Sequence, residues 1–394
     1  MRTFTFKGLF LIAVFMLLGC SSLYAADDDL ITKQITIKLD KAGTLPDKIG
    51  SSRMYKITNL KLVGEINGTD WKMIREMAGW SYEGRPTGGN LSVLDLSETK
   101  IVEGGDYYDD DYNYTSNDKI GKRAFSGCSR LTSLTLPAGI TEIGEYAFSR
   151  CSGLTSLTLP TSITYIGEKT FYGCSGLTSI TIPNGVTQID KNAFRDCTGL
   201  TSLTLPANIK RIGESAFKNC SGLTSLNLPA GITTIGSSAF YGCSGLTSLT
   251  IPDGVTKIGK YAFSNCSYLT SLTIPSSVNS LGDYAFKNCS SLQSVHVSWS
   301  TPISAGKAFN KADVSKCTLY VPQGTEQDYF LADVWGDFGN IVEYDPTGID
   351  KVTTSTDAKE LSRYSVNGQR LATPTKGLNI VKYSDGSVKK VVVQ

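Results

Sequence analysis

A unit of 23 residues recurs through the middle of the chain and constrains its fold more than any other feature. The first copy begins at Ile120, the eighth ends at Ile303, and one cysteine marks the same position in each copy. These cysteines are Cys128, Cys151, Cys174, Cys197, Cys220, Cys243, Cys266 and Cys289. A fixed short period is typical of stacked coils, each of which completes its core against its neighbours. We therefore predict a repeat solenoid.

Within the unit, each recurrent apolar residue has a mechanical reason. Leu131, Leu134 and Leu136 are separated by polar residues, which predicts a strand with an apolar inner face. Pro137 follows and is expected to end the strand, because proline lacks the N–H that a sheet ladder requires. Phe125 recurs in every copy as the largest predicted core group. Coils joined by such strands would lie about 4.8 Å apart, so eight make a rod near 38 Å long.

The glycines and cysteines of the unit lead to two further predictions. We expect Gly121 and its equivalents to need a positive φ, with Asp190 as the one tolerated replacement. Equivalent cysteines on successive coils would lie one strand spacing apart with parallel Cα–Cβ bonds, which disfavours disulfides. We predict buried free thiols instead. Cys317 falls outside this column.

Composition excludes several classes of function. The 394-residue chain has a net charge of +2 with 19% charged residues, so a broad basic surface for nucleic acid is not predicted. His296 is the single histidine. A Ser-His-Asp triad would have to use it, and a metal site with several histidines is impossible. We predict no enzymatic activity, no cofactor and no metal.

The first 19 residues form a predicted signal peptide. Basic residues precede an apolar run over 9–18, which is too short to span a bilayer. The run ends in Leu17-Leu18-Gly19-Cys20, which resembles the lipobox of bacterial lipoproteins. The resemblance implies lipidation of Cys20 and an outer-membrane or cell-surface location through a lipid anchor only. Cleavage near Ala25 is the alternative and would give a secreted protein.

The remaining segments flank the repeats. We predict a tether and N-terminal cap with one degenerate repeat over 20–119, eight repeats over 120–303, a degenerate repeat and C-terminal cap over 304–345, and a linker with a β-rich tail over 346–394. Caps are expected because a terminal coil would otherwise expose its apolar face and unpaired strand amides.

The pattern inside the predicted N-terminal cap indicates two strands, Ile31–Leu39 and Ile57–Val63, and then a helix capped by Thr69 or Asp70. The degenerate repeat is Leu91–Ser97, which matches the strand of the unit but lacks its proline.

An acidic, tyrosine-rich insertion precedes the first repeat. Asp109, Asp111 and Asn113 have the alternate spacing of a calcium loop, but the glycine and glutamate of that motif are missing. A solvated loop, a tyrosine-rich partner contact and a calcium site all remain open for this segment.

Two surfaces are candidates for ligand binding. The strand positions equivalent to Ser133 and Thr135 form nearly uncharged hydroxyl ladders, with His296 and Trp299 as the first aromatic anchors near the C-terminal end. Variable turn positions carry tyrosines among mixed charges, a composition typical of protein interfaces. The candidate partner-binding residues are Tyr146, Tyr172, Tyr241, Tyr261, Tyr268 and Tyr284.

The unit Ile-Gly-x-x-Ala-Phe-x-x-Cys-x-x-Leu-Thr-Ser-Leu-x-Leu-Pro resembles the BspA-type (Treponema-type) leucine-rich repeats of bacterial surface proteins. The resemblance covers 120–303 closely and 91–345 more loosely. It implies a right-handed leucine-rich-repeat solenoid with a parallel β-sheet on its concave face. It also implies adhesion to host matrix proteins or to other bacteria.

The C-terminal tail resembles a type IX secretion sorting signal in Tyr364–Arg370 and from Lys376–Val381 through Lys390-Val391, although Asn379 replaces the usual aromatic residue. A small β appendage is the alternative. Asn367-Gly368 and Asp385-Gly386 are predicted hairpin turns in either case.

These observations predict an exported, non-catalytic recognition protein, an adhesin or scaffold that binds host or bacterial proteins. The alternative is a surface lipoprotein that captures carbohydrate.

Overall fold

The chain folds into a solenoid of parallel strands, as the 23-residue period predicts. The computed structural model describes residues 29–345, 360–365, 370–383 and 388–393. The signal peptide and Cys20 lie outside these residues. Within them, no helix is long and apolar enough to cross a bilayer.

The N-terminal segment forms three parallel strands and three helices. The strands are β1 (Ile35–Leu39), β2 (Asn59–Ile66) and β3 (Val93–Ile101), and the helices are α1 (Leu45–Ile49), α2 (Ser51–Met54) and α3 (Gly68–Met77). Strand β3 contains most of the predicted degenerate repeat, and its Leu94 pairs with Leu134 of the first coil. The apolar core is therefore continuous from this segment into the repeats.

Helix α3 has a different cap from the one predicted. Asn67 is the N-cap and accepts a hydrogen bond from the Thr69 N–H (3.1 Å), whereas Asp70 is the third residue of a capping box and accepts from the Asn67 N–H (2.9 Å). The buried Asp70 carboxylate also accepts from the N–H groups of Gly43 (2.6 Å) and Leu45 (2.9 Å). It thereby joins α1 to α3.

Most of the regular coils contribute a short strand to each of two lines. The strand face comprises β5 (Ser133–Thr135), β7 (Ser179–Thr181), β9 (Ser202–Thr204), β12 (Ser248–Thr250), β14 (Ser271–Ile274) and β16 (Ser294–Val297). The second line comprises β4 (Lys119–Ile120), β6 (Glu142–Ile143), β8 (Gln188–Ile189), β10 (Arg211–Ile212), β11 (Thr234–Ile235), β13 (Lys257–Ile258) and β15 (Ser280–Leu281). Pairing is parallel and in register between coils, as in Leu249 with Leu272. The strand face was predicted; the second line was not, because two-residue strands leave no alternation to detect.

Two internal ladders of identical residues hold the coils together. The phenylalanine rings from Phe125 to Phe309 stack nearly parallel, with centroids 5.0 to 5.7 Å apart. The cysteines are buried and free, as predicted. From Cys151 onward each thiol donates a hydrogen bond to the phenylalanine carbonyl of the preceding coil; Cys220, for example, lies 3.2 Å from the Phe194 oxygen.

The predicted reason for the recurrent glycines is wrong. Gly121 and its equivalents do not have positive φ; that conformation occurs two residues later, at Arg123 and its equivalents. At most of these positions, from Gly144 to Gly282, the backbone of the preceding coil comes too close for a Cβ, whereas at Gly121 the Tyr108 hydroxyl occupies that space. A Cβ on Gly236 would come within 2.6 Å of the carbonyl carbon of Gly213 on the preceding coil.

The C-terminal end of the array is closed by two further parallel strands, β17 (Thr318–Pro322) and β18 (Asn340–Tyr344), and by the helix α4 (Glu326–Leu331). Two 3-10 turns, Val314–Lys316 and Trp335–Asp337, complete this segment. The buried Trp335 packs edge-on against Phe309, the last ring of the ladder, at 5.7 Å.

The described part of the tail forms an antiparallel sheet. Its strands are β19 (Glu360–Ser365), β20 (Arg370–Leu371), β21 (Gly377–Tyr383) and β22 (Val388–Val393). The two predicted hairpin turns lie outside the described residues. Asn379 is buried, and its side chain hydrogen-bonds Thr375 and Gly377. The residue that departs from the sorting motif thus has a local structural role.

Candidate functional site: the turn edge

The candidate site is a row of turns that we call the turn edge. In the first coil it comprises Arg123, Ser126 and Gly127, and it includes the equivalent residues of every later coil. The first and third of these positions have left-handed backbone in nearly every coil, as in Arg123 (φ 57°) and Gly127 (φ 80°). Backbone hydrogen bonds between coils, such as the Arg123 N–H to the Glu145 carbonyl (2.9 Å), hold the turns in line.

Five of the six candidate tyrosines lie on the turn edge. Tyr146, Tyr261 and Tyr284 occupy its first position, and Tyr172 and Tyr241 its second, all of them half-buried. Tyr268 lies elsewhere, just after the cysteine of its coil, with 65% of its surface exposed. The structure therefore separates Tyr268 from the other five.

Cations from the same columns contact these rings. Tyr146 has the Arg123 guanidinium 5.6 Å from its ring centroid on one side and the Lys169 ammonium 4.9 Å from it on the other. Lys169 also donates a hydrogen bond to the Tyr146 hydroxyl (2.9 Å), which is the main reason that the pKa of Lys169 is raised. Because equivalent positions on neighbouring coils are one strand spacing apart, a tyrosine and a cation 23 residues apart, in either order, place a charge over a ring.

The same arrangement recurs further along the rod. Arg195 lies 5.7 Å from the centroid of Tyr172, and Lys218 lies 4.7 Å from that of Tyr241. Tyr261 and Tyr284 stack on each other, with centroids 5.0 Å apart. The turn edge is therefore a line of ordered aromatic and cationic groups.

The strand face presents hydroxyl groups, as the sequence predicts, but the aromatic residues near its C-terminal end are not exposed as expected. Ser133 and Thr135 point outward on either side of the buried Leu134. His296 is half-buried and stacks on Tyr320 at 4.2 Å, and this burial lowers its pKa. Trp299 is not an exposed anchor: it is buried, and its Nε1 donates to the Val278 carbonyl (2.7 Å).

The three candidate calcium ligands of the acidic insertion do not converge on one site. The Asp109 carboxylate accepts hydrogen bonds from the Asn113 backbone and side chain, whereas Asp111 lies 3.2 Å from Arg123. No cluster of three His, Cys, Asp or Glu residues suited to a metal occurs among the described residues. The tyrosines of this segment have different environments. Tyr108 is buried, and its hydroxyl donates a hydrogen bond to the Lys122 carbonyl (2.8 Å). Tyr107 packs against the exposed Tyr112, with ring centroids 5.0 Å apart.

The cations at one end of the turn edge are not among the predicted binding residues. Arg123, Arg150, Lys169 and Arg195 come from four successive coils and line one groove with Arg75 of helix α3. Aligning the coils would reveal the first four, because they fall in the three columns of the turn edge. No local pattern marks Arg75, which reaches the groove only through the packing of α3 on the first coil.

The comparisons with known proteins agree with this architecture. The family model for the BspA type leucine rich repeat region matches residues 113–224 and 212–326, in six copies. No curated protein matches the chain. Among solved structures, the leucine-rich-repeat protein of T. pallidum is 32% identical over 40% of this chain and 72% of its own, with a TM-score of 0.37.

Two further solved structures cover more of the chain at lower identity. A leucine-rich-repeat protein from Bacteroides ovatus is 20% identical over 82% of this chain and 97% of its own, with a TM-score of 0.39. The pneumococcal vaccine antigen PcpA is 19% identical over 81% of this chain and 91% of its own, with a TM-score of 0.43. The family model spans more than half of the sequence, and the chain belongs to the BspA type leucine-rich-repeat family.

Proposed function

We propose that the protein is exported, has no catalytic role, and acts as a cell-surface adhesin or scaffold that binds other proteins through its turn edge. Its family is one of repeat proteins, consistent with a protein-interaction scaffold. The observation that carries the proposal is the line of tyrosines with cation neighbours along one edge. Tyrosine and arginine dominate the energetics of protein interfaces.

The restricted mobility of these side chains also favours binding. A tyrosine held between cations on a packed coil loses little conformational freedom when a partner covers it, so less of the interaction energy is spent on ordering. Tyr146 is held in this way, and Tyr261 and Tyr284 are held by stacking on each other. A rod that presents contacts along its length suits an extended protein surface better than a small molecule.

The test is to replace Tyr146, Tyr172 and Tyr241 together with alanine. We expect binding to a partner found in a panel of purified extracellular-matrix and bacterial surface proteins to fall at least tenfold, because each ring is expected to contribute about 1 kcal/mol or more. Biolayer interferometry measures the affinity, and circular dichroism checks the fold.

The matched control replaces Thr135, Thr158 and Thr181, which are exposed on the strand face of nearby coils, with alanine. The control should bind like the wild type. Equal affinities for the tyrosine variant and the wild type would refute the role of the turn edge.

Carbohydrate capture remains the second candidate, supported by the exposed hydroxyl ladders of the strand face. The strongest aromatic contact predicted for a carbohydrate is not accessible, because Trp299 is buried. A glycan array run beside the protein panel separates the two: polysaccharide binding that is unchanged by the tyrosine variant, with no protein partner, would favour carbohydrate.

We also propose that Cys20 carries a lipid that holds the protein at the outer membrane. Replacing Cys20 with alanine should move the protein from the membrane fraction to the soluble fraction, and mass spectrometry of the wild-type N-terminus should show the acylated cysteine. If cleavage occurs near Ala25 instead, the substitution will leave the fractionation unchanged.

A further inference from the structure

A groove of about 470 Å³ lies where the N-terminal cap meets the first four coils. Five cations line it together with a single carboxylate, that of Asp110. The cations are Arg75, Arg123, Arg150, Lys169 and Arg195. This concentration contrasts with a chain whose net charge is only +2.

Glycines on the coils before and after Arg150 leave space beside its side chain in the groove. Gly127 and Gly173 occupy its column on the coils before and after it, so no side chain flanks it there. The indole of Trp80 covers Gly127 so closely that a Cβ at this position would come within 2.3 Å of the ring. Trp80 thus forms one wall, and the Arg150 side chain has room to meet a ligand.

The cations are incompletely neutralised. Arg123 lies 3.3 Å from Asp110 and 3.2 Å from Asp111, Lys169 lies 3.3 Å from Glu168, and Arg195 lies 3.4 Å from Asp196. Arg75 and Arg150 have no carboxylate partner within ion-pair distance among the described residues.

Of these two residues, Arg75 gives the stronger evidence that the groove binds an anion. It is only 2% exposed, and its Nη1 donates to the carbonyls of Arg123 (2.6 Å) and Ala124 (3.0 Å). Its buried Nε has no hydrogen-bond partner. A buried charge without a counter-ion is costly, and an anion bound in the groove would offset that cost.

We propose that the groove binds a short acidic segment of the protein partner, with aspartate or glutamate carboxylates on the guanidinium groups and the rings of Tyr146 and Tyr172 against the chain. This inference rests on the proposed function and specifies the chemistry of its partner. Guanidinium groups match carboxylates through paired hydrogen bonds. Four coils span about 15 Å, which is the length of four or five residues of extended chain. That short span favours a peptide segment over a long sulfated polymer.

The experiment uses the mature protein and three probes: fluorescein-labelled octaglutamate, octaglutamine, and a heparin octasaccharide. Fluorescence anisotropy at low salt should show octaglutamate binding at least tenfold tighter than octaglutamine. Replacing Arg150 with glycine, the residue of this column on both neighbouring coils, should weaken octaglutamate binding at least tenfold.

The matched control is Lys311→Gly. Lys311 is an exposed cation in the same column, also with positive φ (60°), and it lies outside the groove. It should leave the affinity within twofold of the wild type. Should Arg150→Gly fail to fold, Arg195→Gln serves as the second groove variant.

Three results would overturn the inference: no binding of octaglutamate, equal losses in Arg150→Gly and Lys311→Gly, or tight heparin binding without octaglutamate binding. The last would assign the groove to sulfated glycans. None of them bears on whether the tyrosine triple variant loses its partner, so failure here can be distinguished from failure of the proposed function.

Discussion

The cysteine thiols show how a side chain takes its chemistry from its neighbours. Eight regularly spaced cysteines would invite a disulfide framework if the protein is exported, as we propose, yet each of them is buried and free. Burial raises the pKa of the Cys128 thiol to about 11 and the pKa values of the Cys243 and Cys289 thiols to about 12. Because the thiolate is the reactive form, these groups are inert while the coil is folded.

This burial predicts that stability falls at alkaline pH. An unfolded thiol ionises near pH 9, whereas these native thiols keep their protons. Above about pH 9 the unfolded state therefore binds fewer protons, and each such thiol lowers the unfolding free energy by about 1.4 kcal/mol per pH unit. Urea unfolding under reducing conditions between pH 8 and about 10.5 measures the slope.

Cys243→Ala isolates the contribution of one thiol. Near pH 8 the variant will be less stable because a cavity replaces the sulfur, but above about pH 9 its slope should be shallower by about 1.4 kcal/mol per pH unit. Identical slopes for Cys243→Ala and wild type would show that the thiols are not protected from ionisation.

At the scale of the element, the short strands depend on how closely successive coils approach. The sequence predicts the strand face correctly because Leu134 and its equivalents alternate with polar residues. It mispredicts the role of Gly121 because a recurrent glycine has two explanations, a positive φ or a close neighbour, and only the structure distinguishes them.

The close-neighbour explanation predicts a specific loss of stability in Gly236→Ala. The new methyl group would meet backbone atoms of the preceding coil at 2.6 to 2.8 Å, so that the second line of strands must separate. We expect a cost of about 2 kcal/mol or more in urea unfolding, comparable to overpacking in a core.

Gly139→Ala is the matched control, since nothing lies within 4 Å of a Cβ at that position and φ there is not positive. It should change stability by less than about 0.5 kcal/mol. Equal effects of the two substitutions would mean that the coils can separate without cost.

At the scale of the whole molecule, the array is one-dimensional: each coil contacts its neighbours, and the phenylalanine ladder runs through the entire rod. Such an array should tolerate the loss of one whole coil. Deleting residues 212–234, one complete period, should leave a folded rod with an unchanged circular dichroism spectrum per residue.

Deleting only 212–222 should prevent correct folding, because it removes half a coil together with Phe217 and leaves Phe194 and Phe240 out of register in the ladder. Size-exclusion chromatography should show aggregates for this variant and a monodisperse protein for the whole-coil deletion. If both variants behave alike, the period does not define the structural unit.

The sequence by itself determined the period, the strand face, the phenylalanine and cysteine columns and the free state of the thiols. These features repeat at fixed spacing, and each depends only on the adjacent coil. The tertiary structure decided what the repeat period does not encode, namely the choice of Asn67 as the cap of helix α3 and the burial of Trp299. It also formed the cationic groove, because Arg75 meets Arg123, Arg150 and Arg195 only when helix α3 packs against the first coils.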